Sequence, residues 1–248
     1  MRILAYSTLA GLATSLGAVI VIVYGRPKPR VLSGMLGFAS GIMLAIAAME
    51  LVPAALEMGT VLATAVGFIL GALLMALLDI LLPHVHLGAC KVEEDFAPSN
   101  GTMPDAELMK LGWFIAIGIG LHNIPEGLAI GAGYLSSPAL GLAIVVGLAF
   151  HNIPEGMATA CPLLLGGMSP WRIFWLTLLV GMMTPLGTLI GAFLFTAGEV
   201  FVAMAMAFAA GAMIYIVSDE LIPQSHKYHS HTANAGLLLG FLIVLILG

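Results

Sequence analysis

Histidine and glutamate four positions apart occur twice in this chain, each time inside the same six residues: His122-Asn123-Ile124-Pro125-Glu126-Gly127 and His151-Asn152-Ile153-Pro154-Glu155-Gly156. Both copies interrupt apolar runs long enough to cross a bilayer. An acidic residue at the centre of a membrane helix costs about 2.5–3.5 kcal/mol unless it is paired or faces a polar cavity. On a helix, the imidazole and carboxylate of each copy share one face, and together they are ligands for a divalent transition metal. Two glutamates and two neutral histidines carry a charge of −2, which one divalent cation neutralises. Asn123 and Asn152 follow the histidines and can lend carbonyl oxygen to an adjoining second position that shares Glu126 and Glu155. Two ions at once would leave the group near +2, a poor state in a low dielectric. The competing reading is a structural His–Glu hydrogen-bond network locking two helices; two identical copies favour ligation over it.

The surrounding chain is that of a polytopic helical membrane protein. Of 248 residues, 60% are hydrophobic and 8% charged, with a mean hydropathy of +1.09; there is too little polar surface to cover a soluble domain. The cysteines, Cys90 and Cys161, do not make a disulfide framework. Segments of the length a bilayer asks for, about 20 residues, lie near 2–24, 32–56, 60–82, 109–132, 138–162, 171–196, 199–222 and 233–247. This predicts eight spans in a single transporter domain, with a polar loop over 83–107. The first run is longer than a secretory signal and runs into Arg26-Pro27-Lys28-Pro29-Arg30, so it reads as a retained span.

Basic residues set the orientation. All of the eight Lys and Arg except Arg2 fall in or beside the connections after spans 1, 3, 5 and 7, which places those connections in the cytoplasm and both termini outside. An internal repeat is also present. Residues 37–53 in span 2 align without a gap on 207–223 in span 7, with eight of seventeen positions identical, although the two spans run in opposite directions. The doubled motif likewise falls on oppositely directed spans 4 and 5. The expected architecture is three spans, a central pair and three inverted spans, a carrier's arrangement with its site near the midplane. The short turn between spans 4 and 5 makes them antiparallel neighbours and brings His122, Glu126, His151 and Glu155 to one depth. Pro125 and Pro154 release the carbonyls of Leu121 and Phe150, which a membrane tolerates only where protein or a water-lined cavity satisfies them.

The doubled HNIPEG motif, eight spans and a polar loop after the third resemble the ZIP (Zrt-/Irt-like) family of metal-ion transporters, in its bacterial ZupT-like branch. The resemblance covers spans 2 to 7 well and spans 1 and 8 by position. It implies a principal site of His122, Glu126, His151 and Glu155, with Asn123, Asn152 and the same glutamates forming most of an adjoining one. It also implies inward passage of zinc, with iron, manganese, cobalt or cadmium as further substrates, by an elevator-like or rocking alternation of access. The setting would be a bacterial inner membrane. Many relatives carry a glutamate immediately before the span-6 proline; here Thr184 precedes Pro185. A neutral hydroxyl is a weak ligand, so a second position is expected to be empty or loosely held.

Glu50 and Glu220 are repeat equivalents near the outer end of span 2 and the inner end of span 7. They suggest a receiving and a releasing carboxylate on one path, extended by Asp219 and His226. His84, His86 and Cys90 in the cytoplasmic loop, and His229 and His231 in a later connection, suggest a metal relay. No enzyme activity, organic cofactor or nucleic-acid partner is expected. Expected partners are the divalent ion as transported substrate and the lipid bilayer, with a homodimer as an assembly the sequence allows. Two other readings stay open at this point: an intramembrane metalloenzyme, against which stands the absence of HExxH, and a proton-coupled carrier of an organic substrate.

Overall fold

Apolar backbone without water to satisfy it must close its hydrogen bonds within helices, and among the described residues of the computed structural model, 2–25, 27–81, 105–194 and 198–247, every regular element is helical. The elements are α1 (Arg2–Tyr24), α2 (Pro29–Met58), α3 (Val61–Leu81), α4 (Asp105–Ser136), α5 (Pro138–Leu165), α6 (Pro170–Phe193), α7 (Glu199–Ile216) and α8 (Ile222–Leu247). Pro29, Pro138 and Pro170 open their helices, where a fixed φ is suited and the missing N–H is not needed. Prolines inside helices have visible consequences. α6 is interrupted at Met182, three residues before Pro185. Ahead of Pro53, α2 widens into a π-helical turn over Ile46–Leu51; ahead of Pro223, α7 continues into another over Val217–Leu221.

Among the described residues, seven stretches of helix are long and apolar enough to cross a bilayer, the last being Glu199–Ile246. That last stretch is two passes. His229 has extended backbone, φ −170° and ψ 101°, at a break in α8. Before the break α7 lies parallel to α3, with Gly67 and Gly71 against Met204 and Phe208. After it α8 lies parallel to α2, with Gly236 and Gly240 against Gly34 and Phe38. Since α2 and α3 are joined by a short turn at Gly59 and Thr60, the chain reverses at His229, and the described residues form eight helical passes.

Two further pairs are built the same way. Gly127 and Gly131 of α4 fit against Thr184 and Thr188 of α6, and Gly156 of α5 fits against Thr14 of α1, each at backbone-to-backbone distance. Helices in lipid gain nothing from hiding apolar surface from one another, so close van der Waals approach over small residues holds them. The four parallel pairs are thus α1/α5, α4/α6, α2/α8 and α3/α7. Exchanging α1 with α6, α2 with α7, α3 with α8 and α4 with α5 maps this set onto itself. Gly11 and Gly181, repeat equivalents, each meet the other's carbonyl and mark where the pseudo-two-fold passes. The inverted repeat is therefore a property of the packing as well as of the sequence.

The most extensive helix contacts fall within α1, α4, α5 and α6 and within α2, α3, α7 and α8, and the two groups meet where α4 lies on α7 and α2 on α5. The glycine-to-backbone contacts between helices fall within these two groups. At one of these two junctions, α2 on α5, Gly147 faces only the side-chain ends of Ile42 and Ile46.

Candidate metal centre

The α4/α5 hairpin turns on a single extended residue, Ser137, and sets the two motifs side by side. Both histidines and both glutamates are buried, none more than 3% exposed. The imidazoles lie parallel, ring centroids 5.9 Å apart and 5° between planes. His122 Nε2 is 3.4 Å from Glu126 Oε1 and 3.0 Å from Glu155 Oε1; His151 Nε2 is 3.2 Å and 3.0 Å from the same two oxygens. One ligand atom from each residue lies within 4.8 Å of the other three. Bonds of about 2.0–2.2 Å to a tetrahedral ion would hold N and O ligands roughly 3.3–3.6 Å apart, close to this spacing. Beyond these contacts, Oε2 of Glu126, Oε2 of Glu155 and Nδ1 of His151 are buried with no hydrogen-bond partner. Buried polar atoms without partners are rare in folded proteins. Here the unpartnered carboxylate oxygens belong to the two glutamates that would hold a cation.

The asparagines are oriented by neighbouring helices. Asn123 Nδ2 donates to the Val180 carbonyl of α6 at 3.1 Å, and Asn152 Nδ2 donates to the Ala10 carbonyl of α1 at 2.9 Å. Val180 and Ala10 are themselves repeat equivalents, 170 positions apart. With the amides spent in this way, both Oδ1 atoms are buried without a partner. The motif glycines are required by the same contacts: a Cβ on Gly127 would collide with the Thr184 carbonyl, and one on Gly156 with that of Thr14.

Thr184 thus sits directly against the α4 motif, its hydroxyl buried and without a partner. Its counterpart Thr14, against the α5 motif, is equally buried and unpartnered, and was not among the residues singled out from the sequence. The signal for it exists. The 170-residue offset that relates α2 to α7 also aligns Gly11-Leu12-Ala13-Thr14-Ser15-Leu16-Gly17 with Gly181-Met182-Met183-Thr184-Pro185-Leu186-Gly187, identical at four of seven positions.

The flanking residues fall as follows. Glu50 lies on the π-helical turn of α2 and lines a cavity of about 370 Å³ between α2, α5 and α8. Asp219 and Glu220 lie on the matching turn of α7, and Glu220 is within electrostatic reach of His122 and Glu155. His226 is held at the α8 turn, Nε2 at 2.9 Å from Asn234 Oδ1 and Nδ1 at 2.9 Å from the Ile222 carbonyl. His229 Nδ1 accepts from the Thr232 N–H at 3.3 Å, and His231 stands beside it with ring centroids 6.0 Å apart. His84, His86 and Cys90 lie outside the described residues.

Fold and site together define a polytopic helical membrane protein, built on an inverted repeat, with side chains able to hold a metal ion at its centre. The family described as ZIP Zinc transporter matches residues 91–248, and the chain belongs to that family. Its relatives include a zinc transporter ZupT from Chlorobaculum parvum, 37% identical over 249 residues that cover 96% of this chain and 92% of the relative. The zinc transporter GufA of Myxococcus xanthus is 36% identical over 252 residues, covering 97% and 95%. The human zinc transporter ZIP11 is 29% identical over 316 residues, covering 94% and 92%. All three are named as transporters.

Proposed function

We propose that the whole chain is one transporter unit that carries divalent transition-metal ions, zinc first, into the cytoplasm through His122, Glu126, His151 and Glu155. The observation that carries this reading is the convergence of four buried ligand atoms on one point, with a combined charge that a single divalent ion neutralises. Removing such an ion would leave two carboxylates uncompensated in a dry interior, at a cost of several kcal/mol each; the ion and the ligand set therefore stabilise one another. Asn123, Asn152 and Thr184 offer neutral oxygens at most, so one ion per passage suffices. Glu50 receives the ion from the outer side, Asp219 and Glu220 release it inward, and His226 stands last on that path. His229 and His231, with His84, His86 and Cys90, would form the cytoplasmic relay. The concentration of Lys and Arg at one end of the bundle supports a cytoplasmic assignment for that end and outer termini.

Alternating access follows by movement of α1, α4, α5 and α6 against α2, α3, α7 and α8. Support comes from the α2/α5 seam, where contact at Gly147 is through side-chain ends and not meshed backbones. The test is radioactive zinc uptake into proteoliposomes, wild type against His122→Ala and Glu155→Ala. Uptake should fall to background in both variants; unaltered transport would refute the assignment.

A further inference from the structure

All three tryptophans of the chain line one cavity. Trp113 at the start of α4, and Trp171 and Trp175 at the start of α6, enclose about 500 Å³ together with Met109, Met168 and Arg172. The aromatic wall is ordered: Trp171 and Trp175 stand perpendicular with centroids 5.3 Å apart, and Phe174 packs edge-on against Trp175 at 5.7 Å. Each indole remains about half exposed or more, at 45%, 67% and 50%. Tryptophan concentrates where hydrocarbon gives way to headgroups, and the cavity opens at the end of the bundle that carries most of the basic residues. Arg172 is the only charged residue lining it. Among the described residues its guanidinium has no ion-pair or hydrogen-bond partner.

We infer that this cavity binds the glycerophosphate portion of an anionic phospholipid, with the phosphate on Arg172 and the first acyl carbons between the three indoles. The planar guanidinium suits a phosphate. Flexible methionines suit an acyl chain of no fixed shape. The charge pattern decides the lipid class. With a cation in the lining and no carboxylate, a headgroup of net negative charge is matched, whereas the ammonium of a zwitterionic lipid finds nothing to pair with. Bound there, the lipid would tie together the inner ends of α4, α5 and α6. The inference rests on the membrane-spanning fold and not on the transport reading.

Because no tryptophan lies elsewhere, fluorescence excited beyond the absorption of the five tyrosines reports on this cavity alone. The full chain is reconstituted in phosphatidylcholine vesicles containing a small fraction of either phosphatidylglycerol or phosphatidylcholine brominated on the acyl chain. Brominated phosphatidylglycerol should quench with an apparent preference of about fivefold, the size expected for one basic residue at the membrane surface. Arg172→Gln should abolish the preference. Arg30→Gln, a cation on α2 away from the cavity, should retain it. Equal quenching by the two lipids, absence of quenching, or a preference that survives in Arg172→Gln would each overturn the proposal; zinc uptake plays no part in the outcome.

Discussion

The motif glycines offer a direct test of how the metal centre is held. In Gly127→Ala the added methyl would come far inside van der Waals distance of the Thr184 carbonyl oxygen and within 2.8 Å of the Thr188 nitrogen. Neither atom is the end of a flexible side chain, so α4 and α6 must separate by about an ångström to regain van der Waals distance. Overpacking of this kind costs about 1–3 kcal/mol, or a fall in melting temperature of roughly 2–12 °C for a chain of this size. The shift also falls one residue from Glu126 and along the helix pair that holds the Asn123–Val180 hydrogen bond. A displacement of about 1 Å in a preorganised site can cost about 100-fold, so zinc affinity should suffer more than stability. Gly156→Ala, which drives against the Thr14 carbonyl in the same way, should behave alike. Gly118→Ala is the control: no atom lies within 4 Å of its added methyl, and better helix propensity should stabilise it by up to about 1 kcal/mol. Melting curves in detergent and isothermal titration with zinc measure both quantities. A Gly127→Ala protein that melts and binds like wild type would refute the close packing of α4 on α6.

Other substitutions test the charge and polarity of the site. Glu126→Gln and Glu155→Gln each keep the shape but lower the ligand charge by one; a loss of about 2–5 kcal/mol for one member of a buried charge pair predicts at least a 30-fold weaker zinc Kd by titration. Thr184→Ala should leave uptake within about twofold and metal analysis at one ion per chain, while Thr184→Glu should raise the stoichiometry toward two, because a carboxylate adds the charge a second ion needs. Asn152→Ala removes the bond to the Ala10 carbonyl and should lower stability by about 1–2 kcal/mol, read as a lower melting temperature. Glu50→Ala and Glu220→Ala should reduce uptake at limiting zinc; wild-type kinetics in both would remove the path assignment.

The sequence by itself determined the membrane class, the four His and Glu side chains that cluster and the inverted repeat, since each is written in residue type and spacing. A glutamate in an apolar run is conspicuous because lipid cannot solvate it, and a gapless alignment of residues 37–53 on 207–223 needs no coordinates. The same offset would have exposed Thr14, but four matches in seven residues carry weight only once the packing shows why Gly11 and Gly17 recur. Beyond the α4/α5 hairpin, tertiary structure alone decided which helices pair. In a bilayer the lipid-facing and protein-facing sides are equally apolar, so a glycine stripe announces a close neighbour without identifying it. It also decided that His226 closes a turn through Asn234, that the prolines after Glu50 and Glu220 are preceded by π-helical turns, and that tryptophans 62 positions apart in sequence, Trp113 and Trp175, share one cavity. Each of these depends on where a side chain or carbonyl ends up once α-helices are laid against one another, and local sequence holds no record of that.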